Sequence, residues 1–323
     1  MRTVALEEHY ATPAFLDGPG RSISERAKRF GGRAAELLAA LPDLGIARIA
    51  SMDAARIDLQ VLSLTAPGFE QTDAAEAPAL VRDTNDVLAA AVSAYPDRFG
   101  GFAALPTPDP KAAAKELEHC VNSHGFKGAL INGHIRGRYL NERFFWPIFE
   151  AATALDVPIY LHPTLPPKPV IDASYGGFSE PVTSMFALAG WGWHVETAVH
   201  MVRIILGGVF DEFPKLQIVI GHLGEALPFM LRRLDVMPPG VTGLKRPVSS
   251  YLRENVHYTI SGFNFTAPFL ALLLEVGIDR IMFSADYPYA SMIEARAFLD
   301  QLPVSPSDRE KIAHINADRL FRM

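Results

Sequence analysis

Five short apolar runs of this sequence end in side chains that bind metals or move protons. Glu7, Glu8 and His9 close Thr3–His9, and Asn132, with His134 just beyond, closes Phe126–Asn132. His162 closes Pro158–His162, His222 closes Leu216–His222 with Glu225 one turn on, and Asp286 closes Arg280–Asp286. Side chains alternate along a strand, so Glu7 and His9 point one way and Glu8 the other. Glu7 and His9 could then grip one ion together. With His162 and Asp286 they offer two imidazoles and two carboxylates, a set that suits Zn²⁺ and also Mn²⁺ or Fe²⁺. A lone strand-end histidine is ordinarily a hydrogen-bonded core residue, and Asp286 before Tyr287-Pro288 could simply form a turn. Ligand-type residues at four separate strand ends outweigh those readings taken singly. A structural zinc site would more often use cysteine, and Cys120 is the chain's one cysteine. It falls on a helix with no acid-base neighbour in sequence, which predicts a buried thiol.

These residues need a frame that brings distant strand ends together. Ile57–Thr65, Phe99–Pro106 and Val256–Ser261 complete a set of eight strand-like runs. Most are apolar rather than alternating, as for strands covered on both faces. Helix-like segments lie between them: Ala79–Tyr95, Asp109–Ser123, Glu142–Leu155, Glu196–Phe213, Leu227–Val236, Pro268–Val276 and Met292–Gln301. This alternation predicts an α/β fold, a (β/α)8 TIM barrel over residues 1–323 as a single domain, with a C-terminal helix at Ser307–Phe321. A doubly wound open sheet is the rival, weakened by the lack of a Gly-rich phosphate loop after any strand. Ala11–Leu44 and the Pro-, Gly- and aromatic-rich Pro163–Trp193 are long segments after strand ends, where barrel enzymes build their sites.

Composition removes other function classes. Of 323 residues, 49% are hydrophobic and 20% charged, which supports a large core and argues against disorder. The net charge is -6 and no basic run stands out, so no nucleic-acid partner is expected. The start MRTVALEEHY lacks the apolar stretch of a signal peptide, and no run approaches a membrane span. The expectation is a cytoplasmic protein in a reducing compartment. Among the ten histidines, His119, His124, His257 and His314 read as structural, as do His194 and His200 with less force for His194.

ALEEH, YLHP, ETAVH, FDEFP, GHLGE and SADYP, in this order along nearly the whole chain, resemble the amidohydrolase-2 family. The likeness is greatest to its metal-dependent decarboxylases of hydroxylated aromatic acids, the γ-resorcylate (2,6-dihydroxybenzoate) decarboxylases among them. The resemblance implies a distorted (β/α)8 barrel with one divalent metal, Zn²⁺ first and Mn²⁺ as the alternative. It implies Glu7, His9, His162 and Asp286 as ligands, and His222 with Glu225 as catalytic residues beside the substrate. It further implies Arg233 as an active-site arginine and Asn132 as a pocket residue. Many hydrolases of the superfamily instead begin with His-x-His and carry a strand-four lysine that bridges two metals. Here Glu7 takes the first place and Lys127 sits near the start of strand four, which favours one metal and non-hydrolytic chemistry.

The expected reaction is non-oxidative decarboxylation of a small aromatic carboxylic acid of the γ-resorcylate, 2,3-dihydroxybenzoate or salicylate type. Asp286 is the expected proton donor, and Phe186, Trp191, Phe263 and Tyr289 are candidates for the ring slot. Three alternatives stay open: hydrolysis of a small amide or lactone, hydration of an unsaturated dicarboxylate, and a non-catalytic metal-binding scaffold. The related decarboxylases imply a homo-oligomer, a dimer or tetramer, with Trp191–Phe213 as a candidate interface.

Overall fold

The structure is a computed structural model that describes residues 1–323, the side chain of Phe30 excepted. Its strands are β1 (Val4–Tyr10), β2 (Leu59–Leu64), β3 (Phe99–Gly101), β4 (Ala129–Asn132), β5 (Ile159–His162), β6 (Ile218–Ile220), β7 (Val256–Thr259) and β8 (Ile281–Met282). All pairings are parallel, β1 to β3 forming one arc and β4 to β8 the other. Single parallel bridges join the arcs, Ala103 to Ala129 at one seam and Glu8 to Tyr287 at the other. The eight expected strands thus make a (β/α)8 barrel, distorted at two seams.

Alternation along the strands divides the core in two. Val4, Leu6, Val61, Phe102, Leu130, Tyr160, Val219 and Met282 fill the interior, closed below by Ala317 and Phe321 of the helix Asn316–Phe321. Their neighbours, such as Ala5, Leu62, Ile131, Ile159 and Ile218, pack outward against the helices. Each strand is apolar on both faces because each face meets a different part of the core.

Several elements are shorter than their apolar runs. β3 stops at Gly101 because the Asn85 amide takes both backbone groups of Ala104, at 3.0 Å each. β8 stops at Met282 because Phe283 N donates to Ile312 O at 2.9 Å and Ala285 N to the Glu8 carboxylate at 2.8 Å. The expected helix Glu196–Phe213 is split into Gly192–Leu206 and Val209–Glu212 at Gly208, whose φ of 77° only glycine adopts readily. Ala11–Leu44 folds as the helices Pro13–Asp17, Arg21–Phe30 and Gly32–Ala40, and Pro163–Trp193 carries Lys168–Ser174 and Glu180–Ala187. Among the described residues, no helix is long and apolar enough to cross a membrane.

Several histidines have purely structural partners. His134 accepts from Gly137 N at 3.0 Å and reaches Leu165 O at 3.1 Å. His200 is fully buried and accepts from Leu140 N at 3.0 Å. Burial, then the charges of His134 and Arg203, hold its pKa down to about 3. As pH falls below the ordinary 6.5, the unfolded chain binds a proton that folded His200 refuses. Stability is therefore lost between 6.5 and about 3, by about 1.4 kcal/mol per pH unit for this group. The urea unfolding free energy of His200→Gln should fall less steeply from pH 6 to pH 4 by about that slope. Parallel curves for variant and parent would show that His200 titrates normally.

Candidate active site

The site begins with an irregularity in β1. Val4 and Ala5 pair with Leu59 and Gln60, but Glu8 pairs with Leu62, so one extra residue is inserted between. Strict alternation after Leu6 would turn Glu7 outward. The bulge lets Leu6 and Glu7 both face the interior, and His9 follows. Glu8 faces the opposite side, where it accepts from Gln60 at 3.0 Å and Ala285 N at 2.8 Å, and burial pushes its carboxyl up to about 8.

The two oxygens of Glu7 have different tasks. Oε2 accepts from the Tyr160 hydroxyl and from Ser261 at 2.5 Å, with Thr259 at 3.5 Å. Oε1 is buried without a hydrogen-bond partner and lies 3.3 Å from His162 Nε2 and 3.6 Å from His222 Nε2. Gly221 leaves room for this carboxylate, since a Cβ there would lie 2.4 Å from Oε2. Burial pushes Glu7 up, but His222, His162 and His9 outweigh it and hold it well below the usual carboxylate range. His9 Nε2 is likewise buried without a hydrogen bond and lies 3.2 Å from Asp286 Oδ1. Burial lowers His9 to about 4, which keeps a neutral, ligand-ready imidazole. One donor atom each from Glu7, His9, His162 and Asp286 lies within 4.8 Å of the others. Two nitrogens and two oxygens converge, two of them (Glu7 Oε1 and His9 Nε2) without a hydrogen-bond partner, and this set fits one divalent cation.

Removing the Tyr160 hydroxyl tests how far Glu7 depends on its support. Tyr160→Phe should weaken metal binding about 10–100-fold, because an outer partner orients the ligand and fixes its charge. Competition against a chromophoric chelator measures this, and unchanged affinity would mean that Ser261 and Thr259 suffice.

Beside the donors, His222 Nδ1 lies 2.7 Å from Glu225 Oε1, and His194 Nδ1 lies 2.6 Å from Oε2 of the same carboxylate. Burial presses His222 down, but Glu225, Glu7 and Asp286 raise it to about 10, towards the imidazolium, while a bound cation acts the other way. His222, Leu223, Glu225 and Ala226 all have φ between 49° and 63°, and Asp286 has φ 67°. Left-handed backbone at non-glycine residues stores strain and gathers where a site over-determines the chain. Burial and then the charge of Glu7 push Asp286 up to about 8, whereas a bound cation acts the other way.

A cavity of about 280 Å³ opens over these groups, lined by His162, His194, His222, Asp286, Phe263 and Tyr289 among others. Tyr289 Oη lies 2.5 Å from Thr65 Oγ1. Trp193 also lines it, with its ring 6.4 Å from that of His162.

Four expected residues lie outside this cavity. Trp191 is half exposed: it caps the helix Gly192–Leu206 from outside with non-helical backbone, and Trp193, inside the first turn, lines the cavity instead. Phe186 packs on Tyr175 and Phe178 once the aromatic loop folds into helices. Asn132 pairs in register with His162, but its side chain is buried beside Glu70, whose carboxylate accepts from Asn132 N at 2.9 Å. Arg233 lies exposed on a turn beyond the helix Leu227–Met230, with no hydrogen bond or ion pair to the cavity residues among those described. Tyr160, Ser261, His194 and Trp193 are the residues missed. The WGWH sequence that opens the helix Gly192–Leu206 was the available signal for the last two.

A family model described as "Amidohydrolase" matches residues 15–323. The chain belongs to the amidohydrolase-2 family. It is 39% identical over 336 residues to a gamma-resorcylate decarboxylase of a Rhizobium species, covering 99% of this chain and 98% of that protein. Family members of known structure share the fold closely. A 2,6-dihydroxybenzoate decarboxylase complexed with 2,6-dihydroxybenzoate superposes with a TM-score of 0.89 at 36% identity, over 100% of both chains. A 5-carboxyvanillate decarboxylase of Novosphingobium aromaticivorans, with bound manganese and 3-methoxy-4-hydroxy-5-nitrobenzoic acid, does so with 0.93 at 36% identity, over 100% of this chain and 97% of that one.

Proposed function

We infer that this chain is a carboxy-lyase, a metal-dependent decarboxylase of hydroxylated benzoates. The observation that carries the reading is the convergence of Glu7, His9, His162 and Asp286 under a mostly apolar, ring-sized cavity that His222 also faces. Near full-length likeness to decarboxylases of such acids supports it. Zn²⁺ suits the donor set, and the manganese in a solved relative favours Mn²⁺ over it. The substrate placed first is 2,6-dihydroxybenzoate, with 2,3-dihydroxybenzoate and salicylate behind it.

Glu7, His9, His162 and Asp286 would hold a divalent metal, which would supply Lewis-acid binding for the oxygens of the acid. The chain's own residues do the rest. Phe263 offers an aromatic face for the ring, and the His222 imidazolium balances the anion. Glu225 holds the His222 ring, and His194 shares that carboxylate. Asp286 gives its proton to the ring carbon that bears the carboxylate. The C–C bond then breaks, its electron pair returns to the ring, CO₂ leaves, and Asp286 regains a proton from water. Protonation before cleavage avoids a free aryl anion.

The test is metal-loaded protein with each of the three acids, followed by CO₂ release and by lactone opening in parallel. Stoichiometric CO₂ with matching phenol supports the reading; lactone or amide cleavage without CO₂ overturns it. A dimer or tetramer is proposed through Phe178, Val182, Met185 and Trp191, all large, apolar and at least half exposed. Light scattering should then give a multiple of 35.4 kDa, and a clean monomer would remove the proposal.

A further inference from the structure

A second cavity, of about 310 Å³, lies at the N-terminal ends of β5 to β8, at the other end of the barrel from Asp286. Its wall includes Lys215, Gln217, His257, Arg280, Asn316 and Arg319. This end of a barrel ordinarily reads as the stability face, and a stability face would match its charges. Several cations elsewhere are matched in this way: Arg82 meets Glu116 at 2.5 Å, Arg253 meets Glu275 at 2.8 Å, and Arg296 meets Asp300 at 3.1 Å. Here the two acidic residues of the wall are already taken, Asp279 by Lys311 at 3.0 Å and Asp156 by Arg322. Lys215, Arg280 and Arg319 have no carboxylate within 4.0 Å among the described residues, in a chain of net charge -6.

The polar groups of the wall are also unfinished. Arg280 Nη1 is shared between Gln217 Oε1 at 3.0 Å and His257 Nε2 at 2.9 Å. His257 Nε2 therefore accepts, and the ring proton sits on Nδ1, which is buried without a partner. Thr153 Oγ1 and Asn316 Oδ1, from the same wall, are buried without partners too. His257 is 8% exposed and Asn316 2%. Burial, then Arg280 and Arg319, hold the His257 ring down to about 3; burial also lowers Arg280, with Arg319 adding to it, and the nearby acidic groups Glu254 and Asp279 oppose this only in part.

We propose that this cavity is a binding site for a small oxyanion, a phosphate or carboxylate group, held by Arg280, Arg319 and Lys215. Arg280 is set for it by Gln217 and His257, and Arg319 brings it against the helix Asn316–Phe321 that closes the barrel. The volume admits a ligand with a body attached to its charged group.

The test titrates inorganic phosphate, and separately 4-hydroxybenzoate, into the metal-loaded protein by calorimetry at constant ionic strength. Arg319→Ala and Lys215→Ala serve as variants, both residues being exposed and remote from the catalytic residues. The expected result is one anion per chain for one probe or both, at least about tenfold weaker in Arg319→Ala, with kcat unchanged in both variants. The probe that binds identifies the anionic group. No binding of either probe overturns the proposal. So does binding equal in parent and both variants, because the ion would then sit elsewhere, as at the metal donors.

Discussion

Asp286→Asn, assayed with metal in excess, should lower kcat by about 10²–10⁴-fold, the range spanned by loss of a general acid. Asparagine keeps the shape and an oxygen for the donor set, but its amide has no proton to give to a ring carbon. The position points to the same role. Asp286 lies at the cavity floor with Oδ1 3.2 Å from His9 Nε2 and Oδ2 3.9 Å from His222 Nε2, on backbone held at φ 67°. One oxygen therefore faces the donor set while the other faces the imidazolium and the substrate volume. Loss of a carboxylate also weakens metal binding, so metal content must be measured on the assayed protein. A variant that is loaded and folded but inactive fits a proton donor. Near-parental turnover would remove Asp286 from that role. A second readout separates donation from simple disorder: parent enzyme in D₂O should place deuterium on the product's ring carbon, and the variant should not exchange that position.

The donor set was legible in the sequence because each member closes an apolar run, and barrel topology gathers strand ends on one mouth. The expectation for Glu7 and His9 rested on alternation, yet alternation alone does not put them inside. Leu6 faces inward as well, and only the inserted residue between Ala5 and Glu8 reconciles the two. A bulge depends on how β1 meets β2, which neither segment encodes alone. Tyr160 was hidden for a related reason. Within the run IYLH it reads as one more core aromatic, and its hydroxyl gains meaning only when β5, β7 and β1 surround one carboxylate. The aromatic loop failed differently. Its composition announced function, but which aromatics turn inward depends on where the helix begins: it starts at Gly192, so Trp193 lines the cavity and the capping Trp191 does not. Arg233 and Asn132 follow from motif alone: in this chain Arg233 is exposed on the turn after Leu231, and Asn132, in register with His162, is buried beside Glu70.

Glu7→Gln should cost the protein its metal before it costs the fold. Glu7 is fully buried and surrounded by His9, His162 and His222, which together hold it ionised against the pull of burial. Glutamine keeps an oxygen for Tyr160 and Ser261, so the interior hydrogen bonds survive if that oxygen takes the place of Oε2. The amide nitrogen is then left at the position of Oε1, where it presents hydrogens to the metal instead of a lone pair. It also faces His162 and His222 without the negative charge that attracts both. Breaking a buried charge pair costs about 3–5 kcal/mol, which corresponds to a loss in metal affinity of about 10²–10⁴-fold. This exceeds the expected effect of Tyr160→Phe, because that change loosens a ligand and this one removes it. Chelator competition on both variants measures the order. If Glu7→Gln retained parental affinity, Glu7 would serve only the hydroxyls beneath it, and the cation would be held by His9, His162 and Asp286 alone.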